Sequence, residues 1–133
     1  MTWKELYHSA EKYLNERDIS PFLHGGQVVA AIETDKGNVY YGVCLDAACG
    51  WGLCAERNAI LNMITNGESK VVKVVALDKT GCGSPCGACR EALMQLDKDS
   101  GEMEILIDLE TEKTVKLKEL VPDWWGKEEF KNK

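Results

Sequence analysis

Cys54-Ala55-Glu56 and Pro85-Cys86-Gly87-Ala88-Cys89 place three thiols and one carboxylate in two short stretches of the chain. Thiolates are soft ligands that suit zinc, and three of them around a tetrahedral ion leave a fourth position for water or substrate. That is the ligand count of a catalytic centre rather than of a closed structural one. Zinc lowers the pKa of a bound water to about 7, and a carboxylate within reach can then take up and return protons. Glu56, two residues after Cys54, is the candidate for that role. Thiolates also suit iron, so the residue types favour zinc without requiring it.

Positioning three sulfurs at one point needs a frame. The pattern predicts a helix from about Cys54 to Asn66, with Ile60, Leu61 and Ile64 as its buried stripe and Gly67 placed to end it. A further helix is expected from about Cys86 to Leu96. Each motif therefore opens a helix, where unpaired N–H groups and the positive end of the dipole favour a thiolate. Cys86 and Cys89 are three residues apart and share one helix face, and the small Gly87 and Ala88 leave room between them. Three thiolates outweigh a divalent ion by one negative charge, so a hydrogen-bond donor to the sulfurs is expected. Arg57, in the first turn after Cys54, is the first candidate and Arg90, beside Cys89, the second; an ordinary surface ion pair is the alternative for either.

The remaining elements follow from periodicity. Residues 2–17 predict an amphipathic helix with Trp3, Leu6, Tyr7, Ala10, Tyr13 and Leu14 on one face, opened by a capping box of Thr2 and Glu5. Ile19 to Gly26 reads as a loop, and Gln27–Glu33 and Val39–Leu45 read as a hairpin around Asp35, Gly37 and Asn38. Asp46 to Leu53 is a loop of small residues. Val71–Leu77 is a near-continuous apolar run, the signature of a strand buried on both faces in a parallel sheet. Glu104–Leu109 and Thr114–Leu117 are two more strands. The order predicts one α/β domain over residues 1–133, a three-layer α/β/α sandwich with a five-stranded mixed sheet.

Charge and cysteine usage narrow the function. The net charge is −6, from 16 Lys and Arg against 22 Asp and Glu, and no basic stripe is present, which argues against a nucleic-acid binder. The N-terminal stretch MTWKELYHSAEKYL is charged throughout and no apolar run has membrane-spanning length, so a cytoplasmic chain without a membrane partner is expected. Six cysteines in such a chain point to metal or catalysis before disulfides. Cys44, Cys49 and Cys82 read as free, buried thiols, and His8 and His24 as ordinary residues.

The segments CAERNAI and SPCGACRE resemble the zinc deaminase pattern in which His or Cys is the first ligand, and in particular the small-subunit, all-cysteine cytidine deaminases and their relative blasticidin S deaminase. The resemblance covers about residues 5–125 and is specific in the two motifs. It implies one Zn²⁺ per subunit on Cys54, Cys86 and Cys89, with Glu56 as general acid and base. The implied reaction is hydrolytic release of ammonia from a small-molecule amino-pyrimidine nucleoside or analogue, cytidine, deoxycytidine or blasticidin S-like. It also implies that the Ala55 N–H meets a ring oxygen of the substrate, that the Ser84 carbonyl, held extended by Pro85, accepts from its amino group, and that Arg57 donates to the thiolates. A homotetramer is implied, with a C-terminal aromatic, Trp124 or Trp125, packing over the substrate ring of a neighbouring subunit. Trp51 is a second residue expected to shape the pocket.

The chain departs from that family where the sugar is held. The family's Phe, Asn and Glu positions fall at Gly26, Cys44 and Asp46, so Asp46 is the one expected sugar contact left. The loop before Cys54 is one residue shorter, an alteration in the region also altered in the blasticidin S branch. Two other readings of the cysteines stand beside the enzyme: a closed structural zinc site completed by Cys82 or Cys49, and an inactive, ligand-binding member of the fold.

Overall fold

The computed structural model describes residues 1–132. Helix α1 spans Trp3–Glu11, and its capping box forms as expected: Glu5 N–H donates to Thr2 Oγ1, and the Glu5 carboxylate accepts from Thr2 N–H. The helix stops well short of residue 17. Asn15 N–H instead donates to Gly26 O at 3.1 Å, which draws the following residues into a short strand, β1 (Arg17–Asp18), on the edge of β2 (Leu23–Thr34). A tertiary pairing has thus overridden the helical periodicity of Tyr13 and Leu14.

Strands β2 and β3 (Val39–Ala47) form the predicted hairpin, with β2 starting inside the segment read as a loop. The chain continues through β4 (Gly52–Leu53), α2 (Ala55–Thr65), β5 (Val71–Asp78), β6 (Gly81–Cys82), α3 (Gly87–Met94), β7 (Glu104–Asp108), β8 (Lys113–Lys116) and the short α4 (Leu117–Leu120). The sheet order is β4-β3-β2-β5-β7-β8, with β1 added to β2 and β6 to β5. The five expected strands are its long members, and three two-residue strands bring the sheet to eight. β5 pairs parallel with β7 but antiparallel with β2, so its apolar run marks a central strand in a mixed sheet rather than an all-parallel one.

Alternation along the strands divides the core into two layers. Val29, Ala31, Val75, Leu77 and Leu106 pack under α1 with Trp3, Leu6, Tyr7 and Ala10. Ala30, Ile32, Val74, Ala76 and Ile105 pack on the opposite face with Ala55, Ala59, Ile60 and Met63 of α2 and with Leu93 of α3. This is the predicted α/β/α sandwich.

The buried stripe of α2 is not the one expected. Leu61 and Ile64 are 53% and 50% exposed, while Ala55, Glu56, Ala59, Ile60 and Met63 face the sheet. Small residues are needed because α2 lies almost in contact with the β3 backbone. A Cβ on Gly42 would come within 2.4 Å of Ala59 N and 2.7 Å of Ala55 O. Asn58 Nδ2 donates to Val43 O at 3.0 Å and Asn62 Nδ2 to Tyr41 O at 2.6 Å, so the helix satisfies carbonyls along a stretch of β3 that β4 leaves unpaired. Gly42→Ala is expected to push α2 off the sheet and lower stability by about 1–3 kcal/mol, the usual cost of overpacking, in thermal or urea denaturation. An unchanged midpoint would show that α2 does not depend on this close approach.

Candidate active site

Both motifs deliver their first cysteine to the same kind of position. Cys54 is the N-cap of α2 and Cys86 the N-cap of α3, each in extended backbone conformation. Neither thiol makes a full side-chain capping hydrogen bond, although the first-turn Ala88 and Cys89 N–H groups of α3 face the Cys86 sulfur. Cys89, in the first turn of α3, is fully buried. The three sulfurs lie within 4.8 Å of one another.

Cys54 Sγ and Cys86 Sγ are 3.6 Å apart. That is too long for a disulfide, about 2.05 Å, and close to the ~3.8 Å between two sulfurs that each sit ~2.3 Å from one tetrahedral ion. The donor set and its spacing therefore fit zinc. Cys82 is turned away, its Sγ donating to Ile107 O at 3.2 Å, and Cys49 is exposed. Among the described residues neither joins the thiol cluster, and the closed four-thiolate site does not form.

Electrostatics act in opposite directions on two of the sulfurs. Burial pushes the Cys86 thiol up, but the Cys89 and Ala88 N–H groups and the neighbouring thiols outweigh it and hold Cys86 below its ordinary value. Cys89 is pushed well above its ordinary value, by burial first and then by nearby Glu56 and the other two thiols. Arg57 Nη2 donates to Cys54 Sγ at 3.3 Å. That bond raises the guanidinium's pKa, burial opposes it, and contact with Cys89 adds to it. Arg90 behaves differently from either expectation. Its Nε donates to Pro85 O at 2.8 Å and its Nη1 to Leu120 O at 3.5 Å, so it fastens the Ser84–Cys86 turn to α4 and donates to no sulfur.

Glu56 is 6% exposed and has no ion-pair partner among the described residues. Burial raises its pKa, opposed by its own backbone N–H and by the charge of Arg57. A buried carboxylate without a paired cation is costly to the fold and marks a functional position. Glu56 opens onto a pocket of about 440 Å³ that also holds Cys54, Cys86, Ala55 and Ser84.

The other expected contacts lie elsewhere in the chain. Asp46 is exposed and its Oδ2 accepts from Gln27 Nε2 at 2.7 Å, outside the pocket lining. Trp51 stands 57% exposed on its loop. Trp124 is buried in the core beside α3, and Trp125 is 72% exposed; both indole N–H groups donate to Glu91, at 2.8 Å each. None of these three tryptophans lines the pocket of its own chain. Val28 and Asp78 line it without having been assigned to it from the sequence, and Cys44, at the family's Asn position but not counted as a contact, lines it too. Strand alternation carries the signal for two of them: Val28 is in phase with Ala30 and Ile32, and Cys44 lies on the same face of β3 as Tyr40, the face covered by α2.

The description "cytidine and deoxycytidylate deaminase zinc-binding region" belongs to the family whose model matches residues 1–101. The cytidine deaminase of Mycoplasma genitalium is 32% identical over 93 residues, 60% of this chain and 72% of that protein. That of Sporosarcina psychrophila is 32% identical over 111 residues, 77% of each chain. The crystal structure of cytidine deaminase from Mycobacterium tuberculosis is similar over 95% of this chain and 98% of its own, with a TM-score of 0.76 at 25% identity.

Metal analysis of single variants tests the ligand set. Serine at position 54, 86 or 89 is expected to abolish stoichiometric zinc binding, while Cys82→Ser and Cys49→Ser keep one zinc per chain. Loss of zinc from Cys82→Ser would restore the four-thiolate site.

Proposed function

Because the chain belongs to the family of the cytidine and deoxycytidylate deaminase zinc-binding region, we propose that it is a zinc-dependent hydrolase that removes the amino group of a cytosine-type nucleoside and releases ammonia. The observation that carries this reading is Glu56, a buried carboxylate without a paired cation, on the pocket wall beside three clustered thiols. Cys54, Cys86 and Cys89 would hold one zinc ion, which would lower the pKa of a bound water and so supply the nucleophile.

The chain's own groups then move protons and orient the base. Water adds across the ring C=N bond, its oxygen bonding to the carbon that bears the amino group, and the exocyclic C–N bond then breaks as the amino nitrogen leaves as ammonia. Glu56 takes one proton from the water and delivers it to the ring nitrogen. It takes the second from the new hydroxyl as the carbonyl forms, and hands it to the departing amine. A carboxyl whose pKa is raised by burial suits this double duty, since it is a stronger base than an ordinary carboxylate for a proton it must later return. Ala55 N–H fixes the ring oxygen and the Ser84 carbonyl accepts from the amino group, both from the pocket wall. Arg57 withdraws charge from Cys54, which limits how far the thiolates quench the ion.

The finer points follow the same resemblance. The chain acts as one domain over residues 1–133, in the cytoplasm, and among the described residues no helix is long and apolar enough to cross a membrane. It assembles as a homotetramer. Trp125, the more exposed of the C-terminal pair, is the one available to a neighbouring pocket, with Trp51 as a further contact. Light scattering giving a stable monomer would contradict the assembly.

Glu56→Gln tests the central role. The variant is expected to keep its zinc and its fold and to lose about 10²–10⁴-fold in ammonia release from cytidine. Unchanged turnover would exclude Glu56 as the proton carrier.

A further inference from the structure

A second cavity lies away from the thiol cluster. Its volume is about 560 Å³, against about 440 Å³ for the pocket beside Glu56, and the two share no lining residue. Residues of α3, of the turn after it, of α4 and of the C-terminal segment line it. Met94, Val121, Trp124 and Phe130 form its apolar wall. Trp124 is 8% exposed, and its ring lies 5.9 Å from that of Phe130, centre to centre, at an angle of 31°. A mostly apolar cavity of this size with a few convergent polar groups is the usual form of a small-molecule site.

The polar lining is basic in an acidic chain. Four lysines, Lys98, Lys118, Lys127 and Lys131, stand against two carboxylates, Asp97 and Asp123, so the lining carries +2 where the whole chain carries −6. Among the described residues Lys98 has no ion-pair partner. Lys118 reaches Glu102 at 2.7 Å, Lys127 reaches Asp123 at 3.0 Å and Lys131 reaches Glu128 at 3.1 Å. All six of these side chains are more than half exposed, and such pairs hold a lysine weakly enough to be exchanged for a ligand. The Lys118 stem is packed at the wall, since a Cβ on Gly101 would meet its Cβ at 3.2 Å. An anion gains from this field, and a ring gains from the aromatic wall.

We propose that this cavity binds an aromatic anion, with the ring against Trp124 and Phe130 and the negative group among Lys98, Lys118 and Lys127. The pocket beside Glu56 is not its competitor: that lining has no lysine or arginine, and its charged members are Glu56 and Asp78, beside the thiols. The inference goes beyond the deaminase reading and stands apart from it, because no residue of the thiol cluster takes part. The ligand rests on the segment that holds the Ser84–Cys86 turn: Trp124 donates to Glu91, and the carbonyl of Leu120, next to Val121, accepts from Arg90.

The test is a fluorescence titration of the zinc-loaded protein with 8-anilinonaphthalene-1-sulfonate, an aromatic anion. N-phenyl-1-naphthylamine, the same ring system without the sulfonate, is the uncharged comparison. Saturable binding of the sulfonate, one per chain, is expected. Lys98→Glu combined with Lys118→Glu is expected to weaken the sulfonate at least about tenfold and to leave the uncharged probe within about twofold. Both lysines are exposed, so the fold is not at stake in this variant. Sulfonate binding that is unchanged in the double variant, or absent from the unaltered protein, would overturn the inference. So would an uncharged probe held as tightly as the sulfonate, or equal weakening of the two probes by the double variant.

Discussion

Three thiolates cannot share a few ångströms without a cation among them. At a separation of about 4 Å and an effective dielectric of about 20, each pair of unit charges costs about 4 kcal/mol. The sulfurs of Cys54, Cys86 and Cys89 lie within 4.8 Å of one another, with Cys89 fully buried. Without metal the burden is carried by protons, with Cys89 pushed up by burial first and then by Glu56 and the other two thiols, and by the donors around the cluster. Two helix N-termini and Arg57 supply those donors. The site is thus a place where the fold holds apart charges that only a divalent ion can join.

That demand reaches into the sheet. The first turn of α2 carries Cys54, Glu56 and Arg57, so the position of α2 sets the position of the chemistry. Gly42 lets the helix approach β3 to backbone contact, and Asn58 and Asn62 anchor it there through carbonyls of that strand. On the other side, Arg90 ties the Ser84–Cys86 turn to α4, and Glu91 holds Trp124 and Trp125 against α3. The C-terminal segment therefore braces the second ligand pair. Its aromatic residues read from sequence as substrate contacts, yet within one chain their N–H groups are spent on this brace.

What could be read in the sequence is what depends on local chemistry. The two cysteine motifs, their helix starts, Glu56, the hairpin and the sandwich class all rest on short-range pattern, and the structure has them where the pattern put them. The failures are tertiary. α1 ends early because residue 15 pairs with Gly26, and the α2 stripe shifts to alanines because Gly42 admits the helix so closely. Asp46 left the pocket for Gln27, nineteen residues away in sequence, and Arg90 chose a carbonyl over a sulfur. In each case the chain segment had several partners or faces available to it, and only the folded geometry decided among them.

The account depends on the cluster being an open, three-sulfur site. Zinc K-edge X-ray absorption on the loaded protein examines that directly, because sulfur and oxygen neighbours differ in distance and scattering. Three sulfurs near 2.3 Å and one lighter neighbour near 2.0 Å are expected, as for about three thiolates and an open position. Four sulfurs would mean a closed structural site, and would contradict the chemistry assigned to Glu56.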